Sequence, residues 1–233
     1  MKLAYEKVVN QNNRCSKALV FYLDEMFKKD FKTLNELEVS ESLDKIIQIF
    51  RFLIAKDVFE GFYKNSFAKR LLDTRTTCAD PERMLVMKLK EECGFQFTQR
   101  LEQMYKDINM SVELNAEFRQ KPFCKSLPLE LNCKVLTLGH WPNDGKEQLP
   151  QLVQLPREIS SSMTTFTQFY FGKYNNGRQL HWKMSMGTAD VKGNFSNNRS
   201  FEFQTSSYQM LILLFFNDHP IITWAQMLQL TQI

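Results

Sequence analysis

Apolar side chains recur at helical spacing through the first half of this chain, and that periodicity limits its fold more than any other feature. In residues 15–29 they follow one another at i, i+3, i+4, i+7 and i+8, as Leu19, Tyr22, Leu23, Met26 and Phe27, which predicts a helix with one buried stripe. Similar patterns predict helices over 41–56, 58–72, 81–93, 98–108 and 112–118. Glycine and proline are scarce, at 8 and 7 of 233 residues, which favours long helices over a turn-rich sandwich. Residues 1–120 are therefore predicted to form a helical bundle.

Capping residues indicate where several of these helices begin and end. Ser40 is the predicted N-cap of the second helix, and Asp57, with Glu60 three residues later, is the predicted start of the third. The run Asp80–Glu82 places two acids and a proline where the fourth helix begins, and such positions favour both. Gly94 is predicted to end that helix.

The periodicity changes from helical to alternating near residue 121. Strand-like segments occupy 130–138, 179–186, 191–195 and 201–203. Asn197–Asn198 is a turn between the last two strands, and a helix is predicted around Ile159–Tyr170. Residues 121–205 are therefore predicted to form a small α+β domain with a mostly antiparallel sheet.

The last part of the chain has the pattern of an incomplete winged helix. Residues 206–217 are helical again, Ile221–Ile222 predicts a short strand, and Thr223 with Gln226 forms the capping box of a last helix. The third helix of the motif would lie beyond the 206–233 segment. Four apolar residues that would pack under this helix are then expected to be exposed to solvent: Met210, Leu211, Leu213 and Leu214. The predicted fold class is mainly α with α+β.

The sequence carries none of the common motifs for catalysis or for binding a metal or cofactor. The five cysteines, at 15, 78, 93, 124 and 133, include no CxxC pair, so we expect reduced thiols rather than a zinc site or a disulfide framework. The three histidines, His140, His181 and His219, are not spaced as metal ligands, and no GxSxG, GxGxxG, Walker or HExxH motif is present. We expect no catalytic residue, no metal site and no cofactor.

Three residue pairs have a structural interpretation that outweighs a functional one. Cys133 and His140 lie seven residues apart without a supporting motif. Lys69–Arg70 is expected on the exposed side of an amphipathic helix rather than in a basic docking patch. Met84 and Met87 are expected in the core rather than around a cofactor.

Charge and hydropathy narrow the function only slightly. The net charge of +4 is too mild to identify a nucleic-acid binder, although the winged-helix pattern keeps nucleic-acid binding as an alternative function. No secretory apolar segment follows the N-terminus, and the longest apolar run, Met210–Phe216, has seven residues, where a transmembrane helix needs about 20. We expect a soluble protein of the cytoplasm and nucleus with no membrane partner.

Six segments, in order along the chain, resemble the cullin family. They are KDVFEGFYKNSFAKRLL (56–72), EECGFQFTQRLEQMYKDI (91–108), VLTLGHWP (135–142), GRQLHW (177–182), MGTADVK (186–192) and SSYQMLILLFFN (206–217). The resemblance extends from about residue 10 to Ile233. MGTADVK and DKIIQIFRF (44–52) are most similar to the cullins that use BTB-domain adaptors.

The resemblance implies a non-catalytic scaffold of a cullin–RING ubiquitin ligase, acting in ubiquitin-dependent protein degradation. Such a scaffold binds a RING-box protein, which in turn recruits the ubiquitin-conjugating enzyme, so the latter is an indirect partner. Only part of the cullin homology region is represented. The adaptor-binding repeats are absent from this sequence, and the neddylation lysine would lie beyond Ile233.

The resemblance also implies where the RING-box protein binds, by adding a strand to the sheet of the α+β domain. The expected contact residues are Val135, Leu136, Leu138 and Trp141, with Leu180 and Trp182 lining an apolar pocket. Phe67 stands where the family usually has Leu, and we expect this larger side chain to be tolerated with repacking.

Overall fold

Helices form most of the part of the chain that the structure, a computed structural model, describes: residues 2–11, 14–73, 79–142, 155–174, 177–195 and 199–231. The chain divides into two compact units, Met1–Leu114 with Cys133–Asp144 and Asn115–Asn132 with Gly145–Ile233. The first six helices are α1 (Lys2–Val9), α2 (Arg14–Lys28), α3 (Glu36–Arg51), α4 (Lys56–Leu72), α5 (Ala79–Cys93) and α6 (Phe95–Gln120). The later elements are α7 (Arg157–Lys173), β1 (Thr188–Phe195), β2 (Arg199–Ser206), α8 (Ser207–Phe215) and α9 (Trp224–Thr231). The predicted fold class, mainly α with α+β, is confirmed.

Three helices of the first unit begin earlier than their predicted caps. The Asn35 side chain accepts a hydrogen bond from the Glu38 N–H at 2.9 Å, and the Glu38 carboxylate accepts one from the Asn35 N–H in return. This capping box starts α3, so Ser40 lies inside the helix. Asp57 and Asp80 likewise lie in the first turns of α4 and α5 instead of capping them, where their charge still opposes the positive end of the helix.

α6 is one continuous helix of 26 residues, where the sequence analysis predicted two shorter helices. No glycine or proline occurs between Thr98 and Phe118, so nothing local interrupts the backbone hydrogen bonds. Gly94 ends α5 as predicted. Its φ of 81° lies in the left-handed region that favours glycine, and its N–H donates to the Lys90 carbonyl at 2.8 Å.

An aromatic stack on one face of α4 lies in the core of the first unit. Phe59, Tyr63 and Phe67 are each at most 1% exposed, and the ring centroids of successive members lie 5.7 Å apart. Phe67, where the resembled family has Leu, forms the end of this stack. The larger ring is thus accommodated by aromatic neighbours at the spacing that such pairs prefer.

A buried ionic network joins α2, α4 and α5. Arg70 is 4% exposed and donates hydrogen bonds to both Glu82 and Asp24, while the Tyr63 hydroxyl donates to Glu82 at 2.9 Å. The Arg70 guanidinium also lies 4.7 Å from the centroid of the Phe27 ring. The expectation of an exposed Arg70 is therefore wrong. Its partners come from two other helices, and the pattern of α4 alone contains no sign of them.

The two carboxylates of this network have pKa values shifted in opposite directions. Burial raises the pKa of Glu82, which is 4% exposed, and the nearby Arg70 charge offsets only part of that effect. Burial acts in the same direction on Asp24, but hydrogen bonds from Lys28 and Arg70 outweigh it, so the pKa of Asp24 is lowered. Glu82 is therefore the member whose charge depends most on Arg70.

The second unit contains an antiparallel hairpin, paired from Thr188 opposite Ser206 to Phe195 opposite Arg199. This pairing confirms the last two predicted strands, while their turn, Asn197–Asn198, lies outside the described residues. The strands predicted at 130–138, 179–186 and 221–222 are wrong, because these described segments have no hydrogen-bonded partner strand. Alternating side chains alone do not make a strand without such pairing.

Local contacts fix the elements on both sides of the hairpin. A Cβ on Gly187 would collide with the Ser207 Oγ, so a larger residue where the MGTADVK segment enters β1 would require the Ser207 side chain to move. The predicted capping box of Thr223 and Gln226 is confirmed, since the Thr223 N–H donates to the Gln226 side chain at 2.9 Å.

Ile159 and Met163 of α7 form a small apolar core with Met184 and Leu211, and the predicted position of α7 is confirmed. Of the four residues expected to lack cover, Leu211 is fully buried, and Met210 and Leu214 pack against this core. Leu213 is 39% exposed. The expectation is therefore wrong for three of the four residues.

We predict that Arg70→Met lowers the free energy of unfolding by about 3–5 kcal/mol, because it leaves the buried Glu82 carboxylate without its cation. Arg70→Met combined with Glu82→Gln will be more stable than Arg70→Met alone, since no unpaired charge then remains buried. Urea denaturation measures both. Lys29→Met, which removes an exposed ion pair with Glu25, is the matched control and will leave the midpoint unchanged. A double variant less stable than Arg70→Met would contradict this interpretation.

Candidate functional site

The segment of residues 133–142 is held against α6 by one buried carboxylate. Asp107 is 4% exposed and accepts hydrogen bonds from the Thr137 N–H at 2.7 Å and from the Thr137 hydroxyl at 2.8 Å. The Trp141 indole N–H and the Gln103 side-chain amide each donate to the same carboxylate at 2.8 Å. Four donors compensate for the loss of water around Asp107, and two of the donor residues belong to the 133–142 segment.

Ser111 holds the same segment one helical turn further along α6. Its Oγ accepts a hydrogen bond from the Val135 N–H at 2.9 Å, and its hydroxyl lies 2.7 Å from the Asp107 backbone carbonyl, to which it donates. Ser111 is 2% exposed. Asp107 and Ser111 thus satisfy two backbone N–H groups that would otherwise pair with a neighbouring strand.

A third anchor comes from the end of α4. The Lys134 ammonium donates to the carbonyls of Leu71 and Leu72, which have no further helical turn to bond and carry the negative end of the helix dipole. Burial lowers the pKa of Lys134, and the Asp73 carboxylate partly opposes that effect.

Four of the predicted contact residues lie in this segment and differ in exposure. Leu138 is 74% exposed, Val135 and Leu136 are half-buried, and Trp141 is 3% exposed within the core of the first unit. Trp141 therefore anchors the segment and presents no surface, whereas Leu138 does.

The other two predicted contact residues belong to the second unit. The Trp182 ring lies 5.9 Å from that of Phe166, and its indole N–H donates to the Thr167 hydroxyl at 3.3 Å. Leu180 is half-buried. Trp182 is thus held by packing and by a hydrogen bond within its own unit, and part of its role is structural.

The described residues offer little for catalysis. No group of three His, Cys, Asp or Glu side chains within the described ranges could hold a metal ion, and Cys78 lies outside those ranges. Burial raises the pKa of Cys133 to about 12, which keeps its thiol protonated. The buried Nδ1 of His140 has no hydrogen-bond partner among these residues, so it does not activate Cys133. Met87, expected in the core, is 54% exposed.

A shallow groove of about 510 Å³ lies between β2 and α8, lined by residues that include Glu202, Phe203, Gln209 and Leu213. None of the helices described is long and apolar enough to cross a membrane.

Asp107 and Ser111, which do most to hold the 133–142 segment, are not among the predicted site residues. A signal was present, because Gln103, Asp107 and Ser111 are polar residues at four-residue spacing and so share one face of a helix. Such a stripe normally indicates a solvent-exposed face. Here it faces another segment of the same chain.

We predict that Asp107→Leu releases the 133–142 segment and exposes Cys133 to alkylation. Iodoacetamide at pH 8 will modify Cys133 at least tenfold faster than in the parent chain, because the thiol gains access to water and its pKa falls. Peptide mass spectrometry measures the rate, and circular dichroism checks that helix content is retained. Lys106→Ala, on an exposed position of the same helix, is the control. An unchanged Cys133 rate in a folded Asp107→Leu chain would contradict the anchoring role.

Comparison with known proteins accounts for nearly the whole chain. A family model of the cullin alpha solenoid domain matches residues 1–115, and a model of the cullin alpha+beta domain matches residues 135–233. Cullin-3 of Dictyostelium discoideum is 41% identical over 232 residues, which is 99% of this chain and 29% of that protein. Cullin-3B of Arabidopsis thaliana is 37% identical over 99% of this chain and 31% of its own length. Cullin-4A of Mus musculus is 37% identical over 94% of this chain and 28% of its own length.

The chain therefore spans about 30% of the length of these relatives. The two family models together cover all six cullin-like segments of the sequence. The identity to several cullins extends across both compact units. The chain belongs to the cullin family.

Proposed function

We propose that this chain is a non-catalytic scaffold segment of a cullin–RING ubiquitin ligase, and that it binds a RING-box protein through residues 133–142. The RING-box protein then recruits the ubiquitin-conjugating enzyme, and the assembly acts in ubiquitin-dependent protein degradation in the cytoplasm and nucleus. Family membership supports the scaffold role. The 133–142 segment is the single structural observation that supports this site.

The segment has the properties that strand addition requires. An incoming strand needs backbone groups that are not already paired, together with side chains that it can cover. Residues 130–137 belong to no strand, and Leu138 is 74% exposed. Because α6 and α4 hold the segment, a partner would meet a surface that needs little further ordering.

Scaffolding also agrees with the chemistry of the described side chains. The buried Cys133 is held as a neutral thiol, and the buried polar clusters around Arg70 and Asp107 are internally satisfied. Nucleic-acid binding, the alternative suggested by the winged-helix pattern, has only a modest net charge of +4 in its favour.

We predict that Leu138→Asp weakens binding of a RING-box protein at least tenfold, since burying an exposed leucine contributes about 1.5–3 kcal/mol. Isothermal titration calorimetry with purified RING-box protein measures the effect. Ile54→Asp is the matched control, because Ile54 is 80% exposed in the same unit but lies outside the segment. In the same assay, Trp182→Ala tests the contact expected in the second unit, with its melting temperature recorded to separate lost packing from lost contact.

Three outcomes would contradict the proposed function. The first is a parent chain that does not bind the RING-box protein, and the second is equal binding by Leu138→Asp and the parent. The third is salt-sensitive binding to random duplex DNA in a gel shift, which would favour the alternative. The chain alone, without a RING partner, is expected neither to form a ubiquitin thioester nor to discharge one.

A further inference from the structure

We propose that Asp107 and Ser111 replace a neighbouring strand along one edge of residues 133–138, and so reserve the opposite edge, that of Leu136 and Leu138, for the incoming strand. This inference rests on the proposed function and adds the edge, the register and the residues that position it. Asp107 and Ser111 are positioning residues here, since they act through the backbone of the segment and not by touching the partner.

The geometry of α6 matches that of an extended chain. Residues four apart on a helix rise about 6.0 Å along its axis, and residues two apart on a strand lie about 6.6–6.8 Å apart. Asp107 and Ser111 are four apart, and the two N–H groups they bind, on Thr137 and Val135, are two apart. The segment runs antiparallel to α6, because Asp107, the earlier of the two helix residues, binds Thr137, the later of the two segment residues.

This pairing fixes the direction of the remaining backbone groups. In an extended chain, the N–H and C=O groups of successive residues point to alternate edges. With Val135 and Thr137 bonded to α6, the N–H group of Leu136, which lies between them, points away from the helix. Within the described part of the chain, the backbones of Leu136 and Leu138 make no hydrogen bond.

The anchoring groups are suited to holding the segment before a partner arrives. Asp107 is nearly inaccessible to water, and releasing Thr137 and Trp141 would leave its carboxylate short of donors. The segment therefore stays on α6, which reduces the ordering needed on binding. A strand that adds here must pair with Leu136 and Leu138, since the other edge is already satisfied.

The test compares Leu136→Pro with Leu136→Ala in RING-box binding by calorimetry. Both variants lose the leucine side chain, but only proline removes the outward N–H. We expect Leu136→Pro to bind about 3- to 10-fold more weakly than Leu136→Ala, the effect of about one backbone hydrogen bond. Leu138→Pro and Leu138→Ala form a second pair at an exposed position, and slow alkylation of Cys133 confirms that the segment remains docked in each variant.

Ser111→Ala tests the positioning role. It removes the acceptor for the Val135 N–H, and we expect faster amide exchange at Val135 together with about threefold weaker RING-box binding. Equal binding by the proline and alanine variants at both positions, in a parent chain that binds, overturns the edge assignment and leaves the proposed function standing. A parent chain that does not bind overturns both.

Discussion

A buried carboxylate must be surrounded by donors, and the first unit depends on this constraint at two places. Glu82 is 4% exposed and is satisfied by Arg70 and Tyr63 of α4. Asp107, equally buried, is satisfied by the Gln103 side chain of α6 and by Thr137 and Trp141 of the 133–142 segment. Neither site tolerates the loss of its donors, because desolvation of the carboxylate is then uncompensated.

The two sites have different consequences for the molecule. The Glu82 network fixes how α2, α4 and α5 pack, since Arg70 also bonds Asp24 and lies over the Phe27 ring. The Asp107 network attaches an irregular segment to the helices so packed. A helical unit can in this way present the backbone of a non-helical segment to a partner, as scaffolding by strand addition requires.

Much of the fold followed from local patterns in the sequence. α2, α4 and α7 were predicted from apolar spacing, and the Thr223–Gln226 capping box and the β1–β2 hairpin from short-range signals. These features depend on residues close together in sequence, where periodicity and capping chemistry are informative. The continuity of α6 was missed because two of its buried positions, Asp107 and Ser111, are polar and interrupt the apolar pattern.

The candidate site was predicted only in part, for a physical reason. The pattern of 130–138 predicted a strand, which is wrong, because the backbone partners of this segment are side chains 24 and 30 residues earlier and not another strand. Arg70 was misplaced for the same reason, since Glu82 lies 12 residues away on the next helix. Long-range partners of polar groups leave little trace in a single sequence.

Amide hydrogen exchange at single residues, followed by NMR in the free chain and in its complex with a RING-box protein, tests the central claim most directly. In the free chain, the Val135 and Thr137 amides will be protected by Ser111 and Asp107, while the Leu136 and Leu138 amides exchange rapidly. In the complex, Leu136 and Leu138 will become protected and the other two will change little. Protection of Leu136 in the free chain, or new protection confined to Val135 and Thr137 in the complex, would contradict the assignment of the two edges.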